Sequence, residues 1–454
     1  MADAEQSDVS SVSTIAVTAA VGAVIFLFVL LCSIGRKEKK ENDKDENDQQ
    51  VKKSEKISEK GSKRSRANVR SKKTAHVPLS HPWLCCTLKG HGANILSADF
   101  SPNGKYFLTA AEDRSLMLWS VKEFPQKEHK FIRGTVELDH ATKVSFSPDS
   151  KAFLTCLFNE NTIRIFRIGK KEDTGNVTLA ASFDFPKQTH SAEIISIGIS
   201  SSGKFIMTCH RDTQLNVWTI KGELLAAIDT HQMNNSYGAV SHCGRFVASS
   251  GFTPDIKVWE VVFDKSGNFK EAKRAFELKG HGAGVHSFSF NSDSSRMVSV
   301  SKDGTWKYWN TDVKYEYDQD PKLLLTGTLS NPCLRLIVLS PDARTIVIAG
   351  DTTISVCNAL TGKEEEVIEN VHSESISSLI FDISGKYFVS MGDKHAQVFH
   401  NITGYRATVA DLEEKERKSP GGAMKERLRV QIQEARSSLS AIMDAATNGH
   451  ADSK

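Results

Sequence analysis

The chain has 454 residues, 39% hydrophobic and 25% charged, with 29 Gly, 11 Pro and a formal net charge of +3. That length exceeds one ordinary domain of roughly 100–200 residues and suits two to three domains or one large repeat architecture. So few Gly and Pro exclude a collagen-like or low-complexity chain, and so small a net charge excludes a globally basic nucleic-acid binder. Eight cysteines (Cys32, Cys85, Cys86, Cys156, Cys209, Cys243, Cys333, Cys357) occur with no C-x-x-C spacing. They point away from a disulfide scaffold or zinc cluster and toward buried free thiols in a reducing compartment.

Residues 1–13 are acidic through Asp3, Glu5 and Asp8, and the 21 positions from Thr14 to Ile34 carry no charge. A helix of that length reaches ~31 Å, enough to cross a bilayer core. A cleaved signal peptide fits less well, because its leading residues are basic and its apolar run is usually ~7–15 residues. Positive residues follow the span at Arg36, Lys37, Lys39 and Lys40 and none precedes it. The positive-inside rule therefore places 1–13 in the lumen, 14–34 in the membrane and the rest in the cytosol. Cys32, at the cytosolic boundary, reads as a plain thiol or a palmitoylation site.

Residues 35–80 read as a disordered basic linker. Between Arg36 and Lys73 stand 15 Lys and Arg against 8 Asp and Glu, with only Val51, Ile57, Ala67 and Val69 apolar. Such a segment cannot bury enough surface to offset its ordering entropy. Lys63, Arg64, Arg66, Arg70, Lys72 and Lys73 concentrate the charge, and residues 74–454 net −1. That density suits anionic lipid headgroups or RNA phosphates, and a solvated spacer is the plainer reading. No aromatic is interleaved, so contact with RNA would be blind to sequence.

From 81 to 404 the chain repeats. His91, Thr109, Asp113 and Trp119 recur as His190, Thr208, Asp212 and Trp218, then as His281, Ser299, Asp303 and Trp309. Each set has the same three spacings, and strand–turn–strand signals lie between them at SPNGK (101–105), SSGK (201–204) and NSDSS (291–295). Four weaker copies place Phe166, Trp259, Cys357 and Phe399 at the Trp position, with Asn161, Asp351 and Asp393 at the Asp position and His372 and Ser390 completing the last. The repeat length is close to the ~40–45 residues of a four-stranded propeller blade plus insertions.

These residues and spacings resemble the WD-repeat family, which implies an all-β fold, a seven-bladed propeller. No blade ends in the literal Trp-Asp pair: Ser120, Thr219, Glu260 and Asn310 follow the Trp. A blade cannot hide both sheet faces alone, so neighbours must stack, and ring closure removes exposed edges. The strand Trp83–Leu88 has no blade of its own and is expected to close the ring as the outer strand of the seventh. The resemblance further implies a buried chain in which Asp accepts from His, His from Ser or Thr, and the hydroxyl accepts from the Trp N–H. A narrower resemblance, to membrane-anchored WD-repeat proteins of the endoplasmic reticulum, is carried by VELDHATKVSFSPDSKAF, HQMNNSYGAVSHCGRFVASSGFTPDIKVWEV and SVSKDGTWKYWNTDV. It implies association with the reticulum's stress kinase, the translation machinery and messenger RNA, the last directly or through a partner.

A repeated His–Ser–Asp set also suggests a hydrolase triad. Triplication in register with a Trp argues for structure instead. Gly280–Gly284 (GHGAG) lacks the P-loop pattern and precedes a strand. No catalytic residue, cofactor, metal or small-molecule substrate is expected. The alternatives are an RNA-binding adaptor working through the linker and an exchange factor for a small GTPase, against which the amino-terminal anchor argues. Sequons at Asn176, Asn234 and Asn401 would be inert in the cytosol. Residues 405–446 read as helices, broken at Pro420, with Leu428, Ile432, Ala435, Leu439 and Ile442 forming about two heptads. That seam suits docking on the propeller, on a partner helix or on a second copy. Residues 447–454 read as a disordered tail.

Overall fold

The computed structural model describes residues 79–170, 177–186, 192–419 and 421–451, from 445 onward by backbone only. The expected anchor at 14–34, the basic tract from Lys63 to Lys73, and His190 lie outside the described residues. Among the described residues no helix is long and apolar enough to cross a membrane.

The strand signals resolve into seven antiparallel sheets of four strands each. Six use consecutive strands. Blade 1 begins with Ile95–Phe100, blade 2 with Ala141–Phe146, blade 3 with Ile194–Ile199, blade 4 with Asn235–Val240, blade 5 with Val285–Phe290 and blade 6 with Leu336–Leu339. Blade 7 has Ser378–Phe381, Tyr387–Met391 and His395–His400, and takes its fourth strand from the start of the domain. Leu84–Lys89 pairs antiparallel with His395–His400, Thr87 opposite Gln397, so the ring closes where the sequence pattern placed the closure. The protein is a seven-bladed β-propeller followed by two helices.

Both faces of each blade are covered, so its second strand is apolar without alternation: in Tyr106–Ala111 every residue after the first is buried. Leu108, Leu116 and Leu118 of blade 1 pack on Val144, Phe146 and Phe153 of blade 2, and the same layering recurs around the ring. The core is a circle of inter-sheet layers. Side chains also tie the first strands of blades 1, 3 and 5 to the next blade. Ser97 Oγ accepts from Val144 N (3.2 Å), Ser196 Oγ from Gly238 N (3.2 Å) and Ser287 Oγ from Ile337 N (3.1 Å). Asp99 accepts from Phe146 N (2.7 Å), and burial pushes its carboxyl up to about 7. In the turn 101–105, Gly104 at φ 68° lets its N–H reach Ser101 O (2.8 Å), a left-handed geometry that glycine adopts without strain.

The first helix (Ile402–Lys418) starts earlier than residue 405, because buried Asn401 caps it: Gly404 N donates to Asn401 Oδ1 (3.0 Å), while Asn401 Nδ2 donates to Gly385 O (2.8 Å). The second (Ala423–Ala451) runs past 446 into the stretch read as a tail. The two fold back on each other through Arg429–Glu416 (2.8 Å) and Arg436–Glu413 (2.6 Å). Leu439, Ile442 and Met443 pack on the cluster of Trp83, Val371 and Ile402, so this part of the heptad seam docks on the propeller. Arg344 of blade 6 pairs with Asp411 (2.5 Å), fixing the first helix from the other side.

Candidate functional site

At one end of the ring each inter-blade loop meets the turn between the second and third strands of the following blade. In blade 5 the expected network is complete. His281 Nε2 lies 2.8 Å from Ser299 Oγ and Nδ1 lies 3.1 Å from Asp303 Oδ2, while Trp309 Nε1 donates to Ser299 Oγ (2.9 Å). Asp303 also accepts from Gly282 N (2.7 Å) and from the Thr305 amide (2.9 Å) and hydroxyl (2.7 Å).

Blade 1 differs in one link. His91 Nε2 is 2.7 Å from Thr109 Oγ1, which accepts from Trp119 Nε1 (3.0 Å). Its Nδ1 bonds Ser115 Oγ (2.6 Å) and stands 3.6 Å from Asp113 Oδ1, and the Ser115 hydroxyl donates to Asp113. The contact from His to Asp is therefore relayed through a fifth residue, which the spacing analysis missed. The signal was available: Ser115 and Thr305 stand two residues after the Asp, each at the first position of the third strand.

In blade 3, Trp218 Nε1 donates to Thr208 Oγ1 (3.0 Å) and Asp212 Oδ1 accepts from Gln214 N (3.0 Å). The ring of His210 bonds Thr208 Oγ1 (3.1 Å) and Ala192 O (3.1 Å), a role not foreseen for it. Blade 7 keeps His372 Nε2 with Ser390 Oγ (2.9 Å) and His372 Nδ1 near Asp393 Oδ1 (3.3 Å), and adds His395 (3.4 Å). Blades 2 and 4 pin their turns with other side chains. In blade 2, Asp139 accepts from Asn159 N (2.9 Å) and Asn161 Oδ1 from Ile194 N (3.0 Å); in blade 4, Gln232 Nε2 donates to Asp255 O (2.9 Å).

Burial holds His91 down to about 4, outweighing the attraction of Asp113, and lowers His281 likewise. Both imidazoles are neutral at physiological pH, and one with its proton on Nδ1 satisfies every bond of the chain. Asp303 is held down to about 2: burial opposes, and the Thr305 hydroxyl and the amides of Gly282 and Thr305 prevail. The Thr109 and Ser299 hydroxyls are fully enclosed, out of a substrate's reach and already engaged with Trp and His. These networks stiffen loops. Among the described residues no group of three or more His, Cys, Asp and Glu is placed to hold a metal ion, and Cys85, Cys86, Cys156, Cys209, Cys243, Cys333 and Cys357 are free thiols.

Seven stacked four-stranded blades, several of them pinned by His–Ser/Thr–Asp–Trp networks or partial copies of them, define a WD-repeat propeller, a class that serves as a rigid scaffold for protein partners. The profile of the family described as "WD domain, G-beta repeat" matches residues 83–120, 183–219 and 272–310, the three segments that carry the full tetrads. The chain belongs to the WD-repeat family. It is 47% identical over 396 residues to transducin beta-like protein 2 of Mus musculus (86% of this chain, 89% of the relative). It is 47% identical over 389 residues to transducin beta-like protein 2 of Homo sapiens (84% and 86%). TBC1 domain family member 31 of Pongo abelii is 24% identical over 229 residues, which span 49% of this chain and 22% of that protein.

Proposed function

We propose that this chain is a single-pass scaffold of the endoplasmic-reticulum membrane whose propeller faces the cytosol and gathers protein partners without catalysing a reaction. The observation that carries the adaptor reading is the ring of pinned loops, which offers a preformed surface with little ordering cost on binding. Residues 14–34 support the anchor and the flanking Arg36, Lys37, Lys39 and Lys40 its orientation. The sequence resemblance to membrane-anchored WD-repeat proteins of the endoplasmic reticulum supports the reticulum, its stress kinase and the translation machinery as the setting. Proximity labelling from the propeller in cells tests this reading. Enrichment of cytosolic, reticulum-associated proteins is the expected result, and labelling of luminal proteins overturns it.

A second reading rests on the basic tract: messenger RNA held through Lys63, Arg64, Arg66, Arg70, Lys72 and Lys73. Neutralising these six should lower crosslinked RNA and flatten its salt dependence while membrane insertion persists. Unchanged RNA recovery would assign the tract to lipid or to spacing.

A further inference from the structure

The pinned end of the ring is not uniform. Across blades 4 to 6 it combines exposed apolar side chains with two cations that, among the described residues, join no ion pair. Met233 is 67% exposed and Phe252 57% exposed. Their loops are bonded together, because Phe252 N donates to Asn234 O (3.0 Å). Lys302, in the turn of blade 5, extends its ammonium over the Phe252 ring, 5.9 Å from the centroid. Its backbone is anchored at Gly284 O (2.9 Å), so the cation stands on a fixed turn.

Two residues beyond Gly284, His286 lies in the first strand of blade 5, and Arg335 immediately precedes that of blade 6. Ser287 Oγ donates to Arg335 O (2.8 Å), which stitches the two blades side by side at this level. Among the described residues neither Lys302 nor Arg335 joins an ion pair. Burial pushes His286 down to about 4, and the positive fields of Arg335 and Lys302 add to the fall. The charges that act on this half-buried imidazole are those of Arg335 and Lys302, so two cations converge on the mouth between blades 5 and 6.

We propose that Met233, Phe252, His286, Lys302 and Arg335 form a docking site for an extended acidic segment of a partner protein, one that carries a large apolar side chain beside its carboxylates. The inference rests on the adaptor reading and gives that scaffold a partner chemistry. Charge complementarity selects the occupant: carboxylates neutralise Lys302 and Arg335, and the apolar side chain covers Met233 and the open part of Phe252. A polynucleotide fits less well. Its affinity grows with a run of phosphate contacts, whereas two cations converge here at one mouth, and Lys302 already occupies a face of the only exposed ring among the five.

The test uses the full-length chain in detergent and a fluorescent ten-residue peptide with four Glu on each side of a Phe-Leu centre. Its Gln counterpart and a ten-nucleotide oligoadenylate serve as comparison probes. The acidic peptide should bind in a salt-dependent manner. Lys302→Glu with Arg335→Glu should weaken it at least tenfold, Phe252→Ala severalfold, and Lys105→Glu, in the turn at the opposite end, by less than twofold. An unchanged melting temperature in each variant shows that the ring is intact. Equal binding of the Gln peptide, tighter binding of the oligonucleotide, or full affinity in the double variant would overturn the proposal. Proximity labelling with the double variant separates the two levels of the argument. Loss of a subset of wild-type partners supports the site, an unaltered set removes the site and keeps the scaffold, and no partners for the wild type removes both.

Discussion

Replacing Asp303 with Ala removes the acceptor on which blade 5 converges. Four donors lose this acceptor: His281 Nδ1, Gly282 N, and the Thr305 amide and hydroxyl; Thr305 Oγ1, 3.2 Å from His281 Nδ1, is the partner that ring keeps. The Gly282 and Thr305 groups lie near solvent and water replaces much of their loss, whereas the His281 side chain is 1% exposed. A hydrogen bond to a charged group contributes about 1.5–3 kcal/mol. One such bond in full, plus a share of the others, suggests a loss of about 3 kcal/mol. If the ring of about 320 residues melts as one unit, with an unfolding entropy of about 2.1 cal/mol/K per residue, that lowers Tm by about 4–5 °C. Calorimetry of the full chain measures the shift, and hydrogen exchange should place the weakened protection at His281, Ser299 and Trp309. Asp303→Asn, which keeps an acceptor and loses the charge, should fall between. An unaltered melting temperature together with loss of a specific activity would refute the structural role.

Acid should act on the ring through His91 and His286 at a higher pH than through Asp303. Below the ordinary histidine value of 6.5 the unfolded chain takes up protons that folded His91 and His286 refuse until about 4, so stability falls through that window and then levels for these groups. Asp303 acts lower: its contribution is intact above its ordinary 3.8 and is lost as pH falls toward 2. In urea titrations from pH 7.5 to 3.5 Asp99, raised by burial to about 7, works against the histidines by taking up its proton in the folded chain first, so the histidine part is read as the difference between wild type and His91→Gln. Arg436→Glu should fray the helical hairpin by about 0.2–1 kcal/mol, as a surface pair does, and Glu413→Arg in the same chain should restore exchange protection. Asn401→Ala should cost about 1 kcal/mol through the lost helix cap, and because Asn401 is buried, the exposed Asn234 and Asn176, which lies outside the described residues, are the sequons left to report topology by a glycan; cytosolic orientation predicts none on either, read as no mobility shift with glycosidase.

The seven blades and their closure were legible in the residues because a propeller repeats one short physical problem. Each blade must hide two faces, so each shows the same apolar strands and the same punctuating turns. His281, Ser299, Asp303 and Trp309 could be grouped from spacing alone, since their positions in the blade follow from strand length. The relay through Ser115 and the bond of His210 to Thr208 could not, because hydroxyls and imidazoles choose partners by distances that only folding creates. The same holds for the helices. A pattern such as Leu428, Ile432, Leu439 and Ile442 states that a face must be covered, but a heptad seam fits a propeller, a partner or a second copy equally well. Trp83, Val371 and Ile402 decide for the propeller, and they come from widely separated parts of the chain. Likewise Met233, Phe252, His286, Lys302 and Arg335 are scattered over a hundred positions and share no motif. They meet because ring geometry brings the loops of successive blades to one end, and that convergence is a property of the closed ring.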